Sequence, residues 1–294
     1  MKIQKSEIEN KTQKKIAVVN DLSGYGRCSL TVALPVISAL GLQCCPLPTA
    51  ILSNHTGYPG FFFDDYTDRM PEYIARWKAL GFRFDGILTG FLGSAAQIGI
   101  VEQFIRDFRQ APQSSDGPDR RAVVVVDPVM GDRGRAYSTF TPELCGRMKQ
   151  LAALADVLTP NVTEACILTD TPWQPHFTRA ELDRLLGRLA SICRGRIVIT
   201  GADAGAFLYN IVFDPAAGEP LYLKKKRVAA ERSGTGDLFA SIVAANVVKG
   251  LSPGDAVRQA ADFVSLCLIE TERLHTPSTD GVAFEPLLKK LLRD

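Results

Sequence analysis

Short apolar segments alternate with longer amphipathic ones along most of the chain. The segment 122–126 is apolar at every position, as in a central parallel strand that is buried on both faces. Similar runs predict strands at 16–20, 42–50, 84–89, 156–159, 196–200, 206–213 and 220–228. Helical periodicity predicts helices at 27–40, 68–80, 95–110, 142–155, 161–168, 179–192, 253–271 and 286–292, and another after Asp237. The alternation predicts an α/β fold, with a mostly parallel sheet covered by helices on both faces.

Polar segments follow the predicted strands. Ligands bind beyond the carboxyl ends of the strands in open parallel sheets, so we expect these segments to gather on one rim and to form the functional site. They lie at 20–21, 53–57, 90, 127–132, 159–164, 200–201 and 233–237. One predicted strand is unusual, because the prolines within 42–50 indicate an irregular strand or a sheet edge.

Composition limits the domain organisation. Of the 294 residues, 46% are hydrophobic and 22% are charged, which supplies enough apolar sequence for a large core. The chain shows neither a low-complexity linker nor a repeat, so we expect a single domain over 16–294. The segment 1–15 is polar and lysine-rich and lacks the apolar stretch of a secretory signal, and we expect a disordered tail there.

Charge and cysteine content narrow the function further. A net charge of +2 gives no reason to expect binding to nucleic acid or to a membrane surface, and no apolar run approaches the length of a bilayer span. The seven cysteines form no Cys-x-x-Cys pair, and an odd number cannot all be paired. We therefore expect free thiols and a cytoplasmic protein. The three histidines are too few to favour a histidine-based metal site.

The segment 233–237, Ser-Gly-Thr-Gly-Asp, precedes a long apolar helix. Glycine permits positive φ and a close approach of the backbone to a ligand. The first N–H groups of a helix lack internal partners and carry the positive end of its dipole. Together these features predict an anion site at the start of the helix. Asp237 lies in the first turn, where it either only favours the helix or acts as a base toward a hydroxyl beside the anion.

Two further acids are candidates for cation binding. Asp127 ends the most buried strand, and burial of a carboxylate needs compensation. Mg²⁺ bound with nucleotide phosphates would supply it, whereas a structural alternative is that Asp127 caps the following turn. Asn161 and Glu164 fit a helix capping box, so capping and cation binding are both open for Glu164.

Other motifs are incomplete or ambiguous. Gly-x-Gly-x-x-Ser at 24–29 lacks the third glycine of the dinucleotide fingerprint, and the chain contains neither a P-loop nor a Gly-x-Ser-x-Gly elbow. The basic run at 224–227 is interpreted as a solvated face or a charged sheet edge, with a phosphate contact as the alternative. His55 either contacts a ring-shaped substrate or is a polar turn residue.

Several segments resemble one kinase family. Gly-Thr-Gly-Asp at 234–237 resembles the anion-hole and catalytic-base signature of the ribokinase-like superfamily of ATP-dependent small-molecule kinases. Within that superfamily the chain resembles the pyridoxal/pyridoxamine kinase (vitamin B6 kinase) family, in the family's order from residue 16 onward. The segments that carry the resemblance are 46–49, Ser-Asn-His-Thr-Gly-Tyr at 53–58, 89–94, Asp-Pro-Val-Met-Gly-Asp at 127–132 and Thr-Pro-Asn-x-x-Glu at 159–164. Ser-Asn-His-Thr-Gly is the most specific of these.

The resemblance implies a ribokinase-like three-layer α/β sandwich. It also implies a homodimer that phosphorylates the 5′-hydroxymethyl group of pyridoxal, pyridoxamine or pyridoxine, in pyridoxal 5′-phosphate salvage, using ATP, Mg²⁺ and a monovalent cation such as K⁺. Asp237 would be the base, and Gly234, Thr235 and Gly236 would donate backbone N–H groups to the phosphoryl group. The implied substrate-binding residues are Asp21, His55, Thr56 and Gly57, the implied nucleotide-site residues are Asp127, Thr159, Asn161, Glu164 and Thr200, and the implied metal ligands are Asp127 and Glu164.

The first loop departs from the family pattern. Asn-Asp-Leu at 20–22 stands where the best-known members carry Gln-Ser-His, so Asp21 replaces a serine and could alter the vitamer preference. Asp-x-Ser-Gly-x-Gly at 21–26 resembles the hydroxymethylpyrimidine kinases of the same superfamily, which usually lack the Ser-Asn-His-Thr-Gly loop. That pyrimidine is the alternative substrate. A non-catalytic vitamer sensor is a third interpretation, which the retained base and acids disfavour.

Overall fold

The computed structural model describes residues 12–109, 121–137, 140–230 and 232–292. The strands are β1 (Lys15–Ser23), β2 (Gln43–Leu52), β3 (Phe63–Asp65), β4 (Gly86–Thr89), β5 (Val123–Val126), β6 (Gly131–Asp132), β7 (Arg135–Ala136), β8 (Val157–Leu158), β9 (Arg196–Ala204), β10 (Phe207–Phe213) and β11 (Leu221–Lys226). The helices are α1 (Ser29–Ala39), α2 (Met70–Ala79), α3 (Ala95–Arg109), α4 (Pro142–Ala152), α5 (Val162–Leu168), α6 (Arg179–Ile192), α7 (Thr235–Lys249) and α8 (Pro253–Arg273). Two short 3₁₀ helices follow, at Ser278–Asp280 and Glu285–Lys290.

The described strands form one large sheet and one small hairpin. The order in the large sheet is β11-β10-β9-β8-β5-β4-β1-β2-β3, and the hairpin pairs β6 with β7. From β9 to β2 all neighbours in the large sheet are parallel, whereas β10 and β11 at one edge and β3 at the other pair antiparallel. The prediction of a mostly parallel sheet is confirmed.

Helices cover both faces of the sheet. Alternate residues of β1 show the division, because Ile16 and Val18 pack into one buried cluster and Ala17 and Val19 into the other. The first cluster contains the apolar faces of α1, α7 and α8, and the second contains those of α2 to α6. This three-layer arrangement holds the start of α7 at the carboxyl end of the sheet. None of the helices in the described part of the chain is both long and apolar enough to cross a bilayer.

Several predicted boundaries were wrong. β1 extends through Ser23 into the predicted loop, and its pairing with β2 shifts register between Asn20 and Leu22. Such a bulge turns side chains away from the regular alternation. The proline-containing strand β2 lies between β1 and β3, but β3 pairs only with its last residues, Ala50 to Leu52. Pro46 and Pro48 therefore lie where β2 has no second neighbour, so the edge interpretation applies to that part alone.

The remaining differences lie at the ends of the chain and between elements. Residues 1–11 of the predicted tail, and residues 110–120 between the predicted helix at 95–110 and the apolar strand, lie outside the described residues. Lys15 already belongs to β1, so the tail does not reach as far as predicted. Strands β3, β6 and β7 were not predicted, and the predicted last helix is a 3₁₀ helix. Residues 224–226 of the basic run lie on the edge strand β11, as interpreted, where Lys225 pairs with Asp262 and Lys224 lies over the ring of Phe207. Arg227 follows the strand and pairs with Asp203.

Candidate active site

Helix α7 begins at a left-handed glycine. Gly234 has φ of +82°, and a Cβ atom added there would lie 2.1 Å from the carbonyl oxygen of Arg27. Both observations require glycine at this position. No side chain among the described residues caps the helix start, and Gly236 in the first turn is exposed. The backbone at 234–236 therefore offers the N–H groups of Gly234 and Gly236 and the positive end of the helix dipole to an anion, and the N–H of Thr235 donates a long hydrogen bond (3.4 Å) to the carbonyl of Arg232.

Asp237 lies at the same point and is half-buried. Its carboxylate accepts a hydrogen bond of 3.1 Å from the side-chain amide of Asn20 and another from the backbone N–H of Ser29. Burial raises the pKa of Asp237 above its usual value, and these two hydrogen bonds oppose the rise. An acid in this setting is held in place by donors from two other elements, β1 and α1.

Asp21 lies beside Asp237 but is sealed from solvent. Its two carboxylate oxygens accept hydrogen bonds from the hydroxyls of Ser29 (2.5 Å) and Ser23 (2.9 Å). Burial raises the pKa of Asp21 to about 6, and the charge of Asp237 adds to the rise. Ser29 adopts the left-handed region, with φ of +52°, at the first residue of α1. A strained non-glycine residue between two carboxylates is typical of a functional site.

The nucleotide-site candidates come together across three strand ends. Asn161 and Thr200 form an isolated parallel bridge, and the N–H of Thr200 donates to the carbonyl of Pro160 (2.9 Å). The hydroxyl of Thr159 donates to Oδ1 of Asp127 at 3.2 Å. The rim predicted from the strand ends therefore exists on this side of the sheet.

Glu164 completes the capping box that the sequence suggested. Its Oε2 accepts the backbone N–H of Asn161 (2.8 Å), and its own N–H donates to Oδ1 of Asn161 (2.9 Å). Oε1 accepts the N–H of Met130 at 3.1 Å. Each oxygen of Glu164 thus holds a backbone group, and the residue is 4% exposed. Capping is part of its role, and any contact with a cation has to use remaining lone pairs or a water molecule.

Asp127 and Glu164 are buried acids whose pKa values are both raised. Burial raises the pKa of Asp127 to about 8, with the charge of Asp237 as the second cause. Burial also raises the pKa of Glu164 well above its usual value, and the charge of Asp127 adds to it. In the described part of the chain, no cluster of three or more His, Cys, Asp or Glu side chains is arranged to hold a metal ion. The donor set fits Mg²⁺, which binds through one or two carboxylates, water and substrate phosphates.

The loop at 53–60, which contains the predicted ring-binding residues, is mostly exposed. Nδ1 of His55 accepts the N–H of Gly57 (3.1 Å), so Nε2 carries the proton and donates to the carbonyl of Thr279 (2.7 Å). The hydroxyl of Tyr58 donates to Oδ1 of Asp280 at 3.0 Å. Thr56 lies at the exposed tip. Both ring nitrogens of His55 therefore bind backbone groups, and its contact with a ring substrate stays a prediction.

The segment 277–282 connects the loop at 53–60 to the start of α7, and no pattern in the sequence predicted this connection. The N–H of Val282 donates to the carbonyl of Ser233 (3.0 Å), and the N–H of Arg27 donates to the carbonyl of Asp280 (3.2 Å). Together with its bonds to His55 and Tyr58, this segment links three loops of the site. Asn20 and Ser29 were also missed as contacts of Asp237, although the polar strand end at 20–21 marked the region.

Comparisons with known proteins agree with this geometry. A family model described as phosphomethylpyrimidine kinase matches residues 34–279. The pyridoxine/pyridoxal/pyridoxamine kinase of Bordetella pertussis is 26% identical over 251 residues, covering 81% of this chain and 82% of that protein.

Two solved structures are also similar. A protein from Bacteroides thetaiotaomicron, provisionally named a phosphomethylpyrimidine kinase and crystallised with pyridoxal, is 39% identical, with a TM-score of 0.85 over 95% of this chain and 96% of that chain. The pyridoxal kinase of Lactobacillus plantarum is 30% identical, with a TM-score of 0.86 over 96% of this chain and 97% of that chain. The chain therefore belongs to the phosphomethylpyrimidine kinase family of ATP-dependent kinases, and within it to the group that contains the pyridoxal kinases.

Proposed function

We propose that this protein transfers the γ-phosphoryl group of ATP to the 5′-hydroxymethyl group of a B6 vitamer, giving the vitamer 5′-phosphate. The observation that carries the proposal is the position of Asp237. Its carboxylate lies in the first turn of α7, three residues after the left-handed Gly234 at the start of the helix. A phosphoryl group bound at 234–236 would lie next to a carboxylate placed to take a proton from the attacking hydroxyl.

Asp237 is the proposed general base. Burial raises its pKa toward the working pH, and a base is most effective when its pKa lies near that pH. In phosphoryl transfer, position and charge stabilisation matter more than covalent chemistry. The hydrogen bonds from Asn20 and Ser29 hold the carboxylate of Asp237 in a fixed position.

The backbone at 234–236 is the proposed anion hole. Its N–H groups come from Gly234, Thr235 and Gly236, and Thr235 is further fixed by a hydroxyl bond to the carbonyl of Arg232 (2.9 Å). Fixed backbone donors stabilise charge that develops in the transition state without any need to reorganise. This role does not depend on the identity of the acceptor ring.

Asp127 and Glu164 are proposed to bind the cation that accompanies ATP, Asp127 directly and Glu164 through water. When bound, Mg²⁺ supplies positive charge that neutralises phosphate oxygens. The raised pKa values of both acids support the assignment, because a nearby cation would offset the cost of keeping two buried carboxylates ionised. The nucleotide is proposed to lie along Thr159, Asn161 and Thr200, and the use of K⁺ stays a prediction from the resemblance.

The vitamer ring is proposed to bind under the loop at 53–60, near Thr56 and Gly57. The complex of the B. thetaiotaomicron protein with pyridoxal supports this class of substrate. We do not assign a direct vitamer contact to Asp21, because both of its carboxylate oxygens already accept hydrogen bonds from serine hydroxyls. Asp21 is proposed to hold Ser29, which contacts Asp237, and the vitamer preference is proposed to depend on the loop at 53–60. We also propose a homodimer, which sedimentation or light scattering at several concentrations would test.

A hydroxymethylpyrimidine is the second candidate acceptor. The family model that matches residues 34–279 is described as a phosphomethylpyrimidine kinase, which is the observation in its favour. Both acceptors carry a primary hydroxyl on a methylene attached to an aromatic ring, so the start of α7 does not distinguish them.

A panel of acceptors tests the proposal. ADP release is followed with ATP and Mg²⁺ in the presence of pyridoxal, pyridoxamine, pyridoxine or hydroxymethylpyrimidine, and without acceptor. We expect ADP release that depends on a B6 vitamer, with the 5′-phosphate as product. Acceptor-independent release, or release with the pyrimidine alone, would contradict the proposal.

A further inference from the structure

Asn20 occupies the last regular position of β1 before the bulge, and its side chain contacts three elements. Its Oδ1 accepts the backbone N–H of Phe91 (2.8 Å), in the loop after β4, and the N–H of Asp21 (3.0 Å). Its Nδ2 donates to Oδ1 of Asp237 on α7 at 3.1 Å. The residue is 5% exposed. One amide therefore joins strand β1, the loop after β4 and the first turn of α7.

The contacts allow only one orientation of the amide. Two backbone N–H donors converge on one end of the Asn20 side chain, so that end has to be the carbonyl oxygen. The NH₂ group is left facing Asp237. A rotation of the amide by 180° would place the NH₂ group against the N–H groups of Asp21 and Phe91, and the amide oxygen against the carboxylate. The hydrogen-bond pattern therefore assigns Asn20 as an obligate donor to Asp237.

Gly90 adds a steric restraint on the same side chain. A Cβ atom at Gly90 would lie 2.4 Å from Nδ2 of Asn20 and 2.6 Å from its Cγ. Only a glycine lets the amide pack flat against the chain at the end of β4. The side chain of Asn20 is thus fixed by hydrogen bonds at its oxygen and by backbone contact along its plane.

We propose that Asn20 is a positioning residue that holds the carboxylate of Asp237 in the orientation that takes the proton from the acceptor hydroxyl. This inference rests on the proposed function of Asp237. The backbone N–H of Ser29 is the second donor to the carboxylate, and the hydroxyl of Ser29 is held by Asp21. Asn20 supplies the only side-chain donor to Asp237 among the hydrogen bonds of the described residues.

A positioning role predicts a specific kinetic pattern. Asn20 contacts Asp237, and the anion hole and the loop at 53–60 are held by other groups. Loss of the donor should therefore lower kcat and leave the KM values for ATP and vitamer almost unchanged. A displacement of a reacting group by about 1 Å is enough to lower a rate by about 10²-fold.

The substitution Asn20→Asp tests this pattern with little change in shape. The aspartate keeps the oxygen that accepts the N–H groups of Phe91 and Asp21, and it replaces the donor to Asp237 with a second acceptor. We expect kcat to fall by about 10- to 100-fold, with both KM values within about threefold of wild type. Asn20→Leu removes the donor without adding charge, and we expect a loss of similar size. Thermal unfolding checks that each variant is folded.

A double-mutant cycle with Asp237→Asn separates positioning from a general structural role. If Asn20 acts through Asp237, Asn20→Asp should change kcat by less than about twofold once the carboxylate is gone. The matched control is Asn246→Asp on α7, a buried amide that donates to Gln259 (3.1 Å) and not to the site. We expect this control to keep the wild-type kcat.

The outcomes separate failure of this inference from failure of the proposed function. If wild type phosphorylates the vitamer and Asn20→Asp and Asn20→Leu both keep its kcat, the positioning role is wrong and the proposed function stands. An equal loss of kcat in the wild-type and Asp237→Asn backgrounds also overturns the role. If wild type does not phosphorylate any vitamer, the proposed function fails and this inference fails with it.

Discussion

The two sides of the site are built differently. The phosphate side, which comprises the start of α7 with Asp127 and Glu164, is formed by strand ends and helix starts that the buried core holds in place. The acceptor side is the loop at 53–60, which is mostly exposed and is tied to the segment 277–282 by His55 and Tyr58. One side is held by strand ends and helix starts that the core supports, and the other is held by side-chain hydrogen bonds between distant parts of the sequence.

This difference separates chemistry from substrate choice. In the proposed function, fixed N–H groups and an acid serve any acceptor hydroxyl, so the phosphate side is proposed to determine what reaction occurs. An exposed loop held by a few side-chain hydrogen bonds can change its contacts without disturbing the core, so the acceptor side is proposed to determine which ring is bound. Substitutions on the phosphate side should therefore alter turnover or stability, and those on the acceptor side should alter KM for the vitamer.

The largest effect is expected for Asp237→Asn. It keeps the shape of the side chain and removes the base, so we expect kcat to fall by about 10²- to 10⁴-fold with little change in the binding of ATP or vitamer. Steady-state kinetics and equilibrium binding give the two quantities. Asp255→Asn is a matched control, because Asp255 is also an acid in a first helical turn, that of α8. Near-normal turnover in Asp237→Asn would refute its assignment as base.

A large effect on stability and turnover is expected for Gly234→Ala. The added methyl group would meet the carbonyl oxygen of Arg27 in a left-handed residue, so the helix start has to move. We expect a loss of about 2–4 kcal/mol in the free energy of unfolding, and a fall in kcat of about 10²-fold because the N–H groups are displaced.

Gly250→Ala is the control for Gly234→Ala. Gly250, at the other end of α7, has φ of +100° with no atom near its added Cβ. The substitution Gly250→Ala therefore measures only the cost of placing alanine in a left-handed conformation, which is about 1–2 kcal/mol. If Gly234→Ala costs no more than Gly250→Ala and keeps turnover, the start of α7 is not the fixed structure described above.

Asp21 should affect stability through pH. Its pKa in the folded protein is about 6 against an ordinary 3.8, so between these values the folded state binds more protons than the unfolded state. Stability contributed by this residue is present below about pH 4 and is lost as pH rises through 6. Wild type should therefore lose about 2–3 kcal/mol of unfolding free energy from pH 4 to pH 7 through this residue, and the variant Asp21→Asn should not lose it. The difference in unfolding free energy between variant and wild type should shift by that amount in favour of the variant. Urea unfolding of both proteins at the two pH values tests this, and a difference that does not vary with pH would contradict it.

The smallest effect is expected on the acceptor side, for Tyr58→Phe. It removes the hydroxyl that donates to Asp280 and keeps the ring, which packs edge-on against Tyr25. Loss of one partly exposed hydrogen bond of about 0.5–1.5 kcal/mol should raise KM for the vitamer by about 2- to 10-fold. We expect kcat and KM for ATP to stay at wild-type values. A fall in kcat of more than tenfold would show that the two sides are not separable.

The phosphate side could be predicted from the sequence because its signals are local. A glycine pair before an apolar helix, an acid after a uniformly apolar strand and an Asn-x-x-Glu capping box each describe their own backbone. The order of the strands then brings those segments to one rim. Thr159, Asn161 and Thr200 are brought together in this way, as the strand ends predicted.

The acceptor side and the supports behind Asp237 could not be predicted, since they depend on contacts between distant residues. His55 and Thr279 are 224 positions apart, and Asn20 and Asp237 are 217 apart. The bulge at Asp21 also had no signal, so 21–26 was expected to be a loop, whereas Asp21 is a buried strand residue whose carboxylate accepts hydrogen bonds from Ser23 and Ser29. The substrate-binding role that the resemblance implies for Asp21 stays a prediction. Short strands such as β3 depend on a partner strand and leave little pattern of their own.

The most direct test of the account is a competition between acceptors in one reaction. Pyridoxal and hydroxymethylpyrimidine are supplied at equal concentration with limiting ATP and Mg²⁺, and both phosphorylated products are quantified by mass spectrometry, which gives the ratio of the two kcat/KM values. We expect pyridoxal 5′-phosphate to exceed the pyrimidine phosphate by at least about tenfold, which corresponds to about 1.4 kcal/mol in transition-state binding. Equal products, or an excess of the pyrimidine phosphate, would contradict the assignment of the vitamer as substrate.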